Sequence, residues 1–289
     1  MLEGILLRGR GGFYDVQSNG DIWRCTLRGK HRWFGREILP GDRVRFQPLP
    51  GQQGTIEEVL PRQTRLVRPA VANVRQVIVV MSLALPPVNW LLLDRLLVTA
   101  EAAGVAPVIV FNKVDLVTDA GPLVPLYRDL GYSVMLTSAV TLVGIEQLRH
   151  ALQHNISVFA GPSGVGKSSL LNAVQPGLRL KTAAVSEKIA RGRHTTRHVE
   201  LLPLPGGALV ADTPGFTQLT LPAMKREELA YFFPEMAARA SGCRFTNCLH
   251  QAEPGCAVRQ AVEAGEINRQ RYAHYLEFLE EVMQAERRY

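Results

Sequence analysis

The chain has 289 residues, with 33 Lys and Arg against 26 Asp and Glu, a formal net charge of +7, and 46% hydrophobic residues. That length supports two or three cores rather than one, and a charged fraction of 20% is ordinary for a folded soluble protein. The longest apolar runs, such as VIVVMSLAL at 77–85, are too short to span a bilayer, and the start MLEGILLRGRGG lacks the n- and h-regions of a signal peptide, so a cytoplasmic protein with no membrane partner is expected.

Residues 1–68 read as five short strands, within GILLRG, GFYDVQS, DIWRCTLRG, DRVRFQPL and GTIEEVLP. Turn signals at Asn19-Gly20 and Pro40-Gly41-Asp42 separate them. Five strands in so short a span predict a small closed barrel of the oligonucleotide-binding (OB) type. This segment holds twelve Lys/Arg and seven Asp/Glu, hence five of the seven net charges. Trp23, Trp33 and Phe34 interleave with Arg24, Arg28, Lys30, Arg32 and Arg36, which suits backbone neutralisation and base stacking on RNA. A barrel with core aromatics and solvated arginines fits the same letters. Cys25 stands apart from the other three cysteines and is expected inside the barrel.

From about residue 70 the period changes. VRQVIVVMSL is a continuous apolar run, the mark of a strand buried on both faces. A helix follows over about 89–103, then strand PVIVFNKVD, a helix near 121–130, strand YSVMLTSA, helix GIEQLRHALQ and strand ISVFAGPSGVGKSS with a helix after it. Alternating strands and helices predict a parallel sheet covered on both faces. After residue 215 the strands stop: MKREELAYFFPEMAARA reads as one helix, and further helices are expected near 257–264 and 266–287. The fold class is therefore multi-domain, with a barrel at 1–68, an α/β unit at 69–220 and a helical unit at 221–289.

The α/β unit carries the chemistry. Gly161, Pro162, Ser163, Gly164, Val165, Gly166, Lys167, Ser168 and Ser169 spell a phosphate-binding loop between a strand and a helix. Its amides would wrap phosphates, Lys167 would reach the β and γ phosphates, and the Ser168 hydroxyl would ligate Mg²⁺. DTPG at 212–215 ends the strand GALVAD, so Asp212 could hold Mg²⁺ through water and the Gly215 amide could sense a γ-phosphate. NKVD at 112–115 ends another apolar strand. Asp115 could accept from guanine N1–H and N2–H₂, which adenine lacks, while Asn112 and Lys113, with Val114 between them and Asp115, would tie the base loop to the phosphate loop. Thr137, Ser138 and Ala139, at the next strand end, could bring a backbone N–H to guanine O6. Within GRGRHTTRHVE, Thr195 or Thr196 could cap Mg²⁺ and the γ-phosphate, and the spacing to the next strand favours Thr196. These motifs all lie at strand C-termini, where open α/β sheets bind ligands.

Their order is unusual. The base-reading motif precedes the phosphate loop, the reverse of an ordinary GTP-binding domain. With the N-terminal barrel, GPSGVGKSSL, GRGRHTTRHVEL, DTPGF and the cysteine spacing, the whole chain closely resembles the circularly permuted GTPases of the ribosome small-subunit-dependent GTPase A family. The resemblance implies an OB-fold domain, a permuted GTPase domain and a zinc domain. It further implies a monomer that binds the 30S subunit and 16S rRNA, assists late subunit maturation, and hydrolyses GTP to GDP when the subunit stimulates it.

Cys243-x₄-Cys248-x-His250-x₅-Cys256 offers three thiolates and one imidazole, a closed tetrahedral set for structural zinc. One disulfide with a spare thiol is the other reading. The family carries zinc ligands at these four positions. Many GTPases orient the attacking water with a glutamine just after D-x-x-G. Phe216 stands there, which predicts slow intrinsic hydrolysis, with Gln218 and His194 as nearby polar candidates. An RNA-binding assembly factor that uses GTP mainly as a conformational ligand is the alternative function.

Overall fold

The computed structural model describes residues 1–28, 37–178, 199–212 and 221–287. Trp33, Phe34, Lys30, Arg32 and Arg36 of the expected RNA-facing set lie outside the described residues.

Strands β1 (Leu2–Arg10), β2 (Phe13–Ser18), β3 (Asp21–Leu27), β4 (Arg43–Leu49) and β5 (Gln53–Val59) close into a barrel of order β1-β2-β3-β5-β4. Alternation puts Leu6, Val16, Cys25, Val44, Phe46 and Ile56 inside, all essentially buried. The space is tight: a Cβ on Gly54 would stand 2.8 Å from Phe46 Cδ2 and 2.9 Å from Cys25 Sγ. Trp23 is half-buried and leans on this core, its ring centroid 5.5 Å from that of Phe46. Phe13 is exposed, with the Arg24 guanidinium 4.7 Å over its ring. Many of the barrel's arginines are engaged in ion pairs: Arg28 with Glu57, Arg43 with Glu3, and Arg45 with Glu3 and Glu58.

A hairpin of β6 (Arg65–Leu66) and β7 (Val71–Ala72), too short to read from the sequence, follows the barrel. It folds back on the Pro40-Gly41 turn, where Ala72 N donates to Pro40 O at 2.8 Å and Asn73 Nδ2 to Gly41 O at 2.8 Å. Leu7, Leu66, Val71 and Val74 then join the core under the next sheet, so barrel and sheet share apolar surface.

That sheet has six strands: β8 (Gln76–Ser82), β9 (Ala106–Asn112), β10 (Ser133–Thr137), β11 (Ile156–Ala160), β12 (Glu200–Leu204) and β13 (Ala208–Asp212), in the order β10-β9-β8-β11-β13-β12. Five are parallel. The edge strand β12 is antiparallel to β13, where the sequence pattern predicted a wholly parallel sheet. The cause is the short Pro205-Gly206-Gly207 turn, which leaves no room for a crossover helix. Every residue of β8 is buried. Its one long polar side chain, Gln76, donates to Ala151 O at 2.8 Å and Ser157 Oγ at 2.9 Å.

Helices α1 (Trp90–Ala102) and α2 (Leu123–Asp129) cover one face, α3 (Ile145–Leu152) and α4 (Lys167–Val174) the other. The Asn89 side chain caps α1 by accepting from Leu92 N at 2.9 Å. Strand order reverses between β8 and β11, which makes the crevice at their C-terminal ends the expected ligand site. Counted from β11 round through β8, the spatial order becomes 2-3-1-4-5-6, with the phosphate loop after the first strand and the base loop after the fifth. Residues 153–155 join α3 to β11 where that recounted sheet would begin and end.

The C-terminal helices are α5 (Pro234–Ala240), α6 (Ala257–Glu263) and α7 (Arg269–Glu286). The single helix predicted for 224–240 is two pieces, a 3₁₀ segment Arg226–Phe232 and α5. Pro234 separates them by lacking an N–H and keeping Phe233 extended, at φ −117° and ψ 101°. Asn268 caps α7 through Gln270 N, so the helix starts at Arg269 and not at residue 266. Leu229, Phe233, Met236, Val258, Tyr275, Phe278 and Leu279 form this unit's core, and Val98 of α1 belongs to it. No helix of the described residues is long and apolar enough to cross a membrane.

Phe46→Ala should cost the barrel about 3–5 kcal/mol, because the surrounding strands cannot close over the lost ring. Hydrogen exchange should show faster exchange across β1–β5 and unchanged exchange in β8; uniform loss of protection would contradict separate cores.

Candidate nucleotide site and metal centre

The C-terminal edge of the sheet collects Ser82, Asn112, Thr137, Ala160 and Asp212 at the ends of its five parallel strands. Asn112 is almost fully buried and holds two neighbours. Its Nδ2 donates to Val165 O in the phosphate loop at 2.8 Å, and its Oδ1 accepts from Thr137 Oγ1 at 3.2 Å. Lys113 sits in left-handed backbone, φ 64°. Its ammonium donates to Gly164 O at 2.7 Å and to Leu85 O. Base loop and phosphate loop are thereby stitched together by two side chains. Val114 opens a 3₁₀ turn, Val114–Leu116, whose second residue, Asp115, is exposed.

The phosphate loop bends as its glycines require. Gly161 has φ +134°, and a Cβ there would lie 2.1 Å from Val80 O. Gly166 has φ +99°, and its Cβ would lie 2.3 Å from Asn112 Nδ2. Ser163 and Gly164 are exposed, Pro162 is partly buried, and the Val165 side chain anchors the loop in the core beneath α4. Lys167 opens α4, its ammonium held by the carbonyls of Gly161 at 2.7 Å and Pro162 at 2.8 Å. Burial lowers its pKa to about 8, since carbonyl dipoles only partly replace the water it loses. A phosphate would supply the missing negative charge.

Ser168 and Ser169 lie in the first turn of α4. Ser169 and Ala139 line one groove of about 610 Å³ between α3 and α4, so the 138–143 loop and this turn approach each other. Ser138 does not offer its amide to a base. Its N–H is spent on Val143 O at 3.0 Å, while its Oγ accepts from Val140 N at 3.2 Å and Thr141 N at 3.0 Å. It is a fully buried loop-shaping residue, which leaves Ala139 to face the groove. Asp212 ends β13, the strand beside the one that feeds the phosphate loop. The backbone end of β13 thus lies beside β11, whose loop leads to Ser168 in the first turn of α4. Thr195, Thr196, His194, Gly215, Phe216 and Gln218 lie outside the described residues.

A second centre lies in the C-terminal unit. Ligand atoms of Cys243, Cys248, His250 and Cys256 all fall within 4.8 Å of one another. His250 Nδ1 stands 3.5 Å from Cys243 Sγ and 3.3 Å from Cys256 Sγ, and those two sulfurs are 3.9 Å apart. Tetrahedral zinc with 2.3 Å Zn–S bonds has sulfur–sulfur edges of about 3.8 Å, so the cluster fits that ion, and all four cysteines of the chain are free thiols. Burial pushes the Cys248 thiol up to about 12 and raises Cys256, while it lowers His250 toward the neutral ligand form. The loop geometry is enforced from within and from α7. Glu253 accepts from the N–H groups of Leu249, Gln251 and Ala252, and the hydroxyls of Tyr272 and Tyr275 on α7 donate to His250 O and Leu249 O. The sequence pattern missed these supports. An acid among cysteines and two tyrosines three apart on a helix carry no metal-binding signature of their own.

Sequence comparison decides the family. The profile of the RsgA GTPase family matches residues 59–222, and that of the RsgA N-terminal domain matches residues 3–56. The chain belongs to the RsgA GTPase family. Among its RsgA relatives, the "Small ribosomal subunit biogenesis GTPase RsgA" of Moorella thermoacetica is 54% identical over 99% of both chains. The protein of the same name from Geobacillus kaustophilus is 48% identical over 100% of both. Two solved structures match at 38% identity. One is "YloQ, a circularly permuted GTPase", with a TM-score of 0.83 over 99% of this chain and 96% of that one. The other is YjeQ from Thermotoga maritima, with a TM-score of 0.84 over 98% of both. The RsgA family and the permuted sheet agree: the chain is a GTP hydrolase with GTP as substrate and Mg²⁺ as the metal its chemistry needs.

Two outcomes follow for this RsgA chain. Gly166→Ala drives a methyl group into Asn112 and should weaken GDP binding at least about tenfold, read by titration with a fluorescent GDP analogue, with zinc content unchanged. GTP affinity should be constant below about pH 8 and fall as pH rises through that value, because only the Lys167 ammonium pairs with phosphate and its pKa before binding is about 8. A flat profile from pH 7 to 10 would remove Lys167 from phosphate binding.

Proposed function

We propose that this chain binds the small (30S) ribosomal subunit through 16S rRNA, assists its late maturation, and hydrolyses GTP to GDP when the subunit stimulates it. The observation that carries the nucleotide half is the pair of bonds from Asn112 to Val165 and Lys113 to Gly164, which fixes the spacing between a base-reading carboxylate and a phosphate loop. The names of the curated relatives support the ribosomal half. The exposed Phe13–Arg24 pair on the barrel offers a stacking face beside a cation, a fit for RNA.

In this reading Asp115 accepts from guanine, Ala139 borders the base, and the loop 161–169 wraps the phosphates with the N–H groups of its residues other than Pro162. Lys167 leaves its carbonyl partners for the β and γ phosphates, where its charge offsets that of the transition state. Ser168 and Thr196 would hold Mg²⁺, with Asp212 acting through water, and the ion when bound would offset phosphate charge. Gly215 would sense the γ-phosphate. Cys243, Cys248, His250 and Cys256 would hold one structural zinc. Three units are proposed, 1–68 for RNA, 69–220 for GTP and 221–289 around zinc, in a cytoplasmic monomer.

Phe216 favours a second reading, because its side chain cannot orient water. The chain would then be an RNA-binding assembly factor for which GTP is mainly a conformational ligand. GTPase rates measured with and without purified small subunits test the first reading, and equal rates would sink it. A Lys167→Ala protein that loses nucleotide yet still matures subunits would favour the second. Zinc chelation should abolish hydrogen-exchange protection in α6 and the first turns of α7 while β8–β11 stay protected; intact protection in α6 would exclude a structural metal.

A further inference from the structure

Helix α1 belongs to two cores at once. Leu93, Leu96 and Leu97 pack under the sheet, whereas Val98 packs with the C-terminal helices. Between them lies Asp94, whose side chain is 0% exposed. It accepts from Tyr127 Oη at 2.8 Å, from His274 Nδ1 at 2.6 Å and from the Arg271 guanidinium. Arg271 is itself buried and turns its other edge to Glu235 of α5, with Nε–Oε1 2.5 Å and Nη2–Oε2 3.2 Å. Its plane lies over the rings of Tyr127 at 5.1 Å and Phe233 at 5.2 Å. One guanidinium thus joins α1, α5 and α7, and Arg95 to Glu281 at 2.5 Å adds a second link between α1 and α7.

Such a buried network adds little net stability, but it ties the three helices together, because removing Arg271 strands the carboxylates of Asp94 and Glu235. What it ties leads to the nucleotide site. The segment 83–89 runs from the end of β8 into α1. Its Leu85 carbonyl takes the Lys113 ammonium, and Pro86 Cδ lies 3.6 Å from where a Gly164 Cβ would stand. Pro86, Trp90, Pro162 of the phosphate loop, and Gln270 and His274 of α7 line one cleft of about 570 Å³.

We infer that Arg271 is a positioning residue for nucleotide binding: from the C-terminal unit it holds α1 in place, and with it the 83–89 segment that braces the base loop against the phosphate loop. By linkage, whatever displaces α7 when the C-terminal unit docks on a partner changes GTP and GDP affinity, and nucleotide changes docking by the same factor. This rests on the nucleotide reading above.

The test is a titration of the zinc-loaded, full-length protein with fluorescent GDP and GTP analogues. Arg271→Met should weaken binding about tenfold, with one zinc per chain and unchanged helical content. Pro86→Ala should weaken it by a similar factor without touching the C-terminal unit. The double variant should be no weaker than the worse single one, since both act through the same segment. Wild-type affinity in zinc-loaded Arg271→Met, or effects of the two variants that multiply, would overturn the inference. Should Arg271→Met lose zinc, Arg271→Lys keeps the charge without the fork and should still weaken binding two- to fivefold, roughly; wild-type affinity there overturns it equally. Asp115→Ala probes the nucleotide reading alone. Retained guanine preference in that variant overturns both, whereas its loss beside an unaffected Arg271→Met overturns only this inference.

Discussion

A nucleotide is long enough that its base and its phosphates must be held by different loops, and everything else in this chain depends on keeping those loops at a fixed distance. One buried amide does most of that. Asn112, at the end of β9, reaches across β8 to the carbonyl of Val165 and also accepts from Thr137. It can do so only because position 166 has no Cβ. The bond is buried, so losing one partner costs its full desolvation, about 1–3 kcal/mol. Sheet order serves this contact: β9, β8 and β11 are consecutive, so their loops meet over the wholly buried β8.

The two accessory units attach to this sheet differently. The barrel shares an apolar seam through Leu7, Leu66, Val71 and Val74, and adds an exposed ion pair, Arg8 to Glu200 at 2.8 Å. An exposed pair is worth at most about 1 kcal/mol. The C-terminal unit is instead joined by buried charges that accept only one arrangement. Its position relative to α1 is specified, while the barrel's rests mainly on shape.

Much of this was legible from residue types. Glycine and lysine at fixed spacing imply a phosphate loop because no other residues allow that backbone and that charge. Apolar runs with and without alternation separated the barrel from the sheet, and three thiols with an imidazole implied a metal. What escaped the sequence depended on tertiary partners. Ser138 looked like a base contact until its amide found Val143. Trp23 could stack or pack by its letters, and its contact with Phe46 was not visible in them. The Asp94–Arg271–Glu235 set spans 177 residues, and no local spacing links its members. Pro234 was visible, but its power to split a helix lost to the apolar period on both sides.

The three-residue turn between α3 and β11 sets the order in which a ribosome would deliver the site. Asn112 leaves the exit tunnel more than fifty residues before Val165, its later acceptor. At roughly 5–20 residues per second, that interval lasts a few seconds. During it β8 has β9 on one side and open solvent on the other, an apolar edge that only β11 can cover. The barrel, already complete, lies against the same core through Leu7 and Val74. In a nascent chain a finished barrel therefore precedes an unfinished sheet, whose β8 edge waits for the strand that leads into the phosphate loop.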